Sequence, residues 1–431
     1  MKMKISSSFR ITNEALLILL LFFIIFLPPL LKISMPYIVT VSIFVFIALS
    51  ELQKRFLFIH GNYGLYLLSS FFPFIFFVLF QVSLNVLFSA TDKEVSEYIY
   101  NIVHIAMSFF YIIIVYMFLR VFLKRCVYTT YVDLTKWIVF AGLLQGIFIF
   151  LSLLNDDLHM RFLSFFLDNT YNQEMLNAVY LNRWRAHGLS GYYLDNLAYI
   201  LSGISLVSVL KGIDEKKPIY FFIGIFIILA ALIGARTIIV LAFVGIIVVS
   251  AYYTKVTHIV TVFKWIAVVT LSIVVVYYFV TLLSDGVRMW LETGIKAVFS
   301  LFSGEEKASA FSEILGNDIV IPDNILFGLG AKPESLGYFD MDGHAIDNGY
   351  IQMLWRFGLI GTLFFVFGLF RFYAKIFYST KKKLLKGIII VFSFVMGLYF
   401  FKYYPLSTYG AHVVYFVLPA VMSAIYKEKE C

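Results

Sequence analysis

The apolar residues of this chain come in runs of about 17 to 25, the length an α-helix needs to cross about 30 Å of hydrocarbon. Inside a bilayer every backbone N–H and C=O must be paired within the protein, which leaves helices and closed barrels as spanning elements. The runs are continuous and do not alternate over about ten residues as barrel strands do, so the spans are helices. With 61% hydrophobic and 14% charged residues, the chain is also far more apolar than a soluble globular domain. The fold class that follows is all-α, a polytopic helical integral membrane protein.

A window of span length places about twelve helices, near 15–32, 37–52, 64–88, 99–119, 137–154, 192–210, 219–234, 237–253, 264–283, 348–370, 387–403 and 411–426. They read as a single membrane domain, 1–431, with no internal repeat. The first run follows Lys2, Lys4 and Arg10 but is too long for a signal-peptide core and lacks a small-residue cleavage site, so it reads as an anchor. The net charge of +8 sits in short connections and not along one soluble face. It therefore reports topology and gives no reason to expect a nucleic-acid partner.

A cytoplasmic N-terminus puts Lys54/Arg55, Arg120/Lys124/Arg125/Lys136, Lys211/Lys216/Lys217, Lys255/Lys264 and the block from Arg371 and Lys375 to Lys386 inside, as the positive-inside rule expects. The C-terminus is then cytoplasmic too, and the acidic stretch Asp92 to Glu97 is an outer connection. Two long connections, 156–190 and 285–346, fall on the same extracytoplasmic side. Loops of that length usually carry function. Within the second, Val287 to Phe302 sets Arg288, Glu292 and Lys296 on an apolar segment suited to the membrane interface. Cys126 and Cys431 are too few for a disulfide framework or a metal site.

The densest polar stretch runs from Pro322 to Thr362. It holds a Pro-Asp-Asn turn, Gly328-Leu329-Gly330, Asp340 to His344, and Asp347-Asn348-Gly349-Tyr350 at the head of an apolar helix. On that helix Asn348, Gln352 and Arg356 recur at i, i+4 and share one face, while Gly358 and Gly361 permit close helix approach. Arg183, Arg185 and His187 lie in the first long connection, and Arg236 lies in the tight turn Gly234-Ala235-Arg236-Thr237. An arginine at or inside the membrane is costly unless it meets an anion or a polar cavity. Its fork of donors suits phosphate oxygens. The plainer reading of a loop arginine is contact with solvent or headgroups.

Asp195-Asn196, at the start of the sixth span, repeats Asp347-Asn348; the two pairs either face one cavity or cap helix N-termini, and the roles are compatible. His187 and His344 are the candidate titrating bases, with Asp347, Asp342 and Asp195 as carboxylate alternatives. There is no nucleophile elbow, phosphate loop, dinucleotide fingerprint or spaced carboxylate pattern. A reaction without cofactor or metal is expected. Polar groups gathered at one surface, with no related halves in the sequence, favour an enzyme on lipid-borne substrates over a secondary transporter or lipid-linked-sugar flippase.

These segments also carry a resemblance. Arg185 to Gly188 ahead of a span, Gly234 to Thr237 opening a short span, Leu326 to Gly330, then Asp347-Asn348 heading a helix that reaches Gly358, Gly361 and Thr362, is an order similar to the bacterial O-antigen polymerase and ligase superfamily, over roughly residues 180–400. The family's large-loop motif is His, then Asn, Ser or Gln, nine residues, Gly, two residues, Gly, usually Thr. This chain keeps the spacing with Asp347 first. In the ligases, which move finished O-antigen onto lipid A core, that histidine is taken as the base, so the departure favours the repeat-unit polymerases.

The resemblance implies a glycosyltransferase of the bacterial inner membrane, acting at its extracytoplasmic face. A growing glycan on undecaprenyl pyrophosphate would pass to an incoming lipid-linked repeat unit. The implied catalytic residues are Asp347, His344 and Arg236, and the implied substrate-binding residues are Arg183, Arg185, His187, Asp195, Asn348, Gln352 and Arg356. The implied partners are the lipid-linked oligosaccharide, membrane lipid and, optionally, a chain-length regulator protein.

Overall fold

The computed structural model describes residues 7–28, 63–88, 92–126, 130–155, 157–162, 188–190, 194–235, 238–253, 321–333, 348–406 and 408–430, with isolated positions 42, 274, 278, 288, 289 and 292. Most of the described residues are helical and none of them lies in a strand. The elements are α1 (Ser7–Phe26), α2 (Tyr63–Phe88), α3 (Asp92–Cys126), α4 (Tyr131–Leu154), α5 (Leu194–Glu215), α6 (Pro218–Gly234), α7 (Ile238–Tyr253), α8 (Gly349–Tyr378), α9 (Lys383–Lys402), α10 (Tyr409–His412) and α11 (Leu418–Glu430), the last two joined by a π-helical turn, Val413–Val417. Seven stretches, in α2, α3, α4, α5, α8, α9 and the α10–α11 run, are long and apolar enough to cross a membrane. The protein is a multi-pass helical membrane protein.

Most helix limits follow the apolar runs, and the departures have local causes. α1 ends at Phe26, short of the predicted 32, where Leu27 takes φ 43 before Pro28. Proline lacks the N–H a helix needs and pushes the preceding residue out of helical backbone. α3 starts at Asp92, so the acidic stretch predicted as a connection forms its first turns. Acidic residues at a helix N-terminus complement the macrodipole. α4 starts on a capping box, in which the Thr130 hydroxyl accepts from Asp133 N and the Asp133 carboxylate accepts from Thr130 N. The predicted spans at 37–52 and 264–283 lie almost wholly outside the described residues.

The backbone groups into two compact units. The first holds α1, α4, α5, α6, α7 and the start of α9. There α5 and α6 lie tightly together: Ser205 Oγ donates to Gly224 O at 2.7 Å and Ser208 Oγ to Tyr220 O at 2.6 Å. A Cβ on Gly224 would come 2.8 Å from Val209 Cγ2, so this seam depends on a small residue. Lys136 on α4 pairs with Glu14 on α1 at 2.7 Å.

The second unit holds α2, most of α3, residues 321–333, α8, the end of α9, and α10 to α11. Its core is aromatic: Phe71 packs on Phe109, Phe365 and Phe416, and Phe74 on Phe357 and Phe365. Phe72, Phe76 and Phe80 on α2 and Phe367 and Phe370 on α8 are exposed, as lipid-facing positions of a span should be.

Candidate functional site

Two described parts of the polar stretch singled out in the sequence, 322–333 and 348–362, come together within the second unit. Asn348 is the N-cap of α8, its side chain accepting from Ile351 N at 3.3 Å. The helix then runs only to Phe357, because Gly358 takes φ 64, ψ −174, a conformation open essentially to glycine. Helical bonding resumes beyond it, with Thr362 Oγ1 donating to Gly358 O at 2.7 Å.

A break inside a membrane helix frees backbone groups that lipid cannot satisfy. Residues 324–330 supply the partners. Leu329 N donates to Trp355 O at 2.6 Å and Gly330 N to Arg356 O at 3.0 Å, while Leu359 N and Ile360 N donate to Ile325 O and Leu326 O at 2.8 and 3.2 Å. Gln81 on α2 adds a donor, its Nε2 bonding Arg356 O at 2.7 Å and also Phe327 O. The loop is turned by Asn324, whose carbonyl and side chain accept from Gly328 N and Phe327 N at 2.7 and 3.2 Å. Gly328, at φ 69, lies so close that a Cβ there would strike Gly358 N.

Arg356 sits immediately before the break, with 3% of its surface exposed. Its Nη1 donates to Asn101 Oδ1 at 2.8 Å, and its guanidinium lies 4.1 Å over the Tyr404 ring. Asn101 in turn donates to Gly330 O at 3.0 Å. The loop, α3, α8 and the segment after α9 are thus joined through one cation. Lys332 and Arg356 both act electrostatically on His104, one helical turn beyond Asn101. Burial pushes the Tyr404 hydroxyl well above the ordinary tyrosine range, with Arg356 pulling the other way. At neutral pH it is a protonated donor.

Among the described residues no group of His, Cys, Asp or Glu side chains is placed to hold a metal ion. The site presents cations, amides and aromatic rings, a set suited to phosphate or carboxylate oxygens and to sugar hydroxyls.

The predicted site residues fare differently. Asn348, Gln352 and Arg356 lie on one face of the first segment of α8, with Asn348 and Arg356 buried and Gln352 half-buried. For Asn348 the capping alternative holds. Asp195 lies in the first turn of α5, in the first unit, where a carboxylate suits the helix dipole. Arg183, Arg185, His187, Arg236, His344 and Asp347 lie outside the described residues. Gly188, which ends the arginine segment, is described: at φ 57 it sits against α4, where a Cβ would be 2.9 Å from Gln145 Nε2.

Gln81, Asn101, His104, Lys332 and Tyr404 were not among the predicted site residues. A signal for three of them was present, since Gln81, Asn101 and His104 are polar side chains inside apolar runs and such residues mark function or pairing. No protein-family model matches this chain, and no curated protein matches it.

Proposed function

We propose that the protein is a repeat-unit polymerase for O-antigen or exopolysaccharide, working at the outer face of the bacterial inner membrane. The observation that carries this assignment is Arg356, a buried cation fixed by Asn101 and Tyr404 beside a sealed helix break. A fixed guanidinium in a low-dielectric setting stabilises negative charge as it develops, without reorganising. In the reaction, the acceptor sugar's hydroxyl oxygen attacks the anomeric carbon of the growing chain. The bond from that carbon to the pyrophosphate oxygen breaks, and the electron pair leaves with undecaprenyl pyrophosphate. Asp347 or His344, just ahead of the α8 cap, takes the hydroxyl proton. Arg356 steadies the departing pyrophosphate.

The break in α8 is also what favours the alternative of a transporter, since those proteins bind substrates at discontinuous helices. Here, however, Trp355 O, Arg356 O, Leu359 N and Ile360 N are all bonded by the loop. They are engaged in structure and not offered to a substrate.

The deciding experiment deletes the gene in its host and complements it with wild type, Arg356→Ala, Arg236→Ala or Asp347→Ala, reading surface polysaccharide on gels. Loss of the ladder with a core-plus-one-unit band retained is the expected result, and each failing variant belongs to the site. Loss of all O-antigen from lipid A, with polymer accumulating on the carrier, would make the protein a ligase. An unchanged ladder would return the transporter.

A further inference from the structure

A row of side chains leads from the surface of the second unit inward to Arg356. The Lys332 ammonium lies 6.0 Å from the centre of the Tyr100 ring. The Tyr100 ring lies 6.3 Å from that of His104, and His104 lies 6.3 Å from Tyr404. The guanidinium of Arg356 closes the row against Tyr404. Exposure falls along it: Lys332 and Tyr100 are exposed, His104 is half-buried, and Tyr404 and Arg356 are buried.

Three polar atoms beside this row, His104 Nδ1, the Tyr404 hydroxyl and Asn85 Nδ2, are buried and have no hydrogen-bond partner among the described residues. Asn85 lies under the loop, where a Cβ on Gly330 would come 2.6 Å from its Nδ2. Buried polar atoms are nearly always satisfied in folded proteins, so several left open beside two cations call for an explanation.

We propose that Lys332, Tyr100, His104, Tyr404 and Arg356 form a subsite for a sugar ring that carries an anionic group, either a phosphate or a carboxylate. The proposal builds on the glycan reading above and assigns it a substrate class. Lys332, at the exposed end of the row, makes a charge-assisted hydrogen bond to the anion, and Arg356 adds its positive field from the inner end. The exposed face of Tyr100 packs against the C–H face of the pyranose, while the open atoms of His104, Tyr404 and Asn85 meet its oxygens. A tyrosine with a neighbouring lysine also serves as an interfacial anchor. An anchor needs neither the rings that continue inward nor the open buried atoms around them.

The test is thermal unfolding of the purified full-length protein in detergent, titrated with N-acetylglucosamine 1-phosphate, glucuronate, N-acetylglucosamine or inorganic phosphate. One or both charged sugars should raise the melting temperature more than the neutral sugar or phosphate alone. The stronger of the two identifies whether the anion is a reducing-end phosphate or an acidic sugar. Lys332→Ala and Tyr100→Ala, both at exposed positions, should leave the ligand-free melting temperature unchanged and each weaken the response by about tenfold in concentration.

No shift with any probe would overturn the proposal. So would equal shifts from inorganic phosphate and the sugar phosphate that ignore Tyr100→Ala, which would make this a simple phosphate or headgroup site. The measurement needs no polysaccharide gel, so its failure is separable from that of the polymerase assignment. An unchanged ladder after gene deletion would remove the polymerase while leaving sugar binding to be read directly.

Discussion

Gly358 decides the shape of the candidate site, because no other residue type adopts its backbone without strain. At φ 64 a side chain costs about 1–3 kcal/mol, and here a Cβ would also strike Leu326 O and Gly328 N. Gly358→Ala should therefore lower the melting temperature of the purified protein sharply and reduce its membrane yield. Gly397 in α9 is the control, since a Cβ there meets nothing within 4 Å; Gly397→Ala should stabilise by about 0.5–1 kcal/mol through helix propensity. Arg356 poses a different test. Lysine keeps the charge but loses the planar fork that bonds Asn101 and stacks on Tyr404. Arg356→Lys should thus fold yet fail, with chain extension slowed by about 10²–10³-fold, the range seen when one fixed donor to developing charge is removed. Full activity in the lysine variant, measured on extracted lipid-linked repeat units, would leave Arg356 a structural residue.

At the scale of the element, the i, i+4 spacing of Asn348, Gln352 and Arg356 was enough to place them on one face of the helix start. The break was not legible. Gly358 and Gly361 read equally well as small residues for helix packing, and only the loop at 324–330 shows that Gly358 is needed for its backbone. Gln81 was missed because a lone polar residue in a span looks like interhelical glue, whereas its amide bonds both the helix end before the break, at Arg356 O, and the loop that seals it, at Phe327 O. Gln81→Leu, similar in size, should cost about 1–3 kcal/mol by leaving carbonyls with one donor fewer, read as a lower denaturation midpoint. The end of α5 offers an independent test. Lys211 there is 1% exposed, pairs with Glu215, and bonds Val132 O at 3.3 Å. Removing one partner of a buried pair typically costs about 3–5 kcal/mol. Lys211→Ala should fall at the lower end, because Lys217 still holds the Glu215 carboxylate at 3.0 Å. Lys217→Ala, at an exposed position, should leave the melting temperature unchanged.

For the whole molecule, composition and run length were sufficient for the fold class, because hydrocarbon leaves a chain so few ways to pair its backbone. Run length says less about what the ends of the helices do. Within the second unit, the site draws on the C-terminal part of α2, the N-terminal part of α3, the start of α8 and the segment just past α9: Gln81 and Asn85, Tyr100 to His104, Asn348 to Arg356, and Tyr404. In the predicted topology those are the ends that face outward, while the lysine-rich segment from Lys381 to Lys386, at the turn into α9 and its first residues, faces the cytoplasm. Single cysteines in a background lacking Cys126 and Cys431 test this directly. A cysteine at Lys332, which is exposed, should react with a membrane-impermeant maleimide added to intact spheroplasts. One at Lys382, also exposed, should react only after the membrane is opened. The reverse pattern would place Arg356 on the cytoplasmic side and would exclude an outer-face polymerase whatever the gels showed. Labelling of both positions in intact spheroplasts would break the alternation of spans itself and remove the basis for assigning a side to any loop.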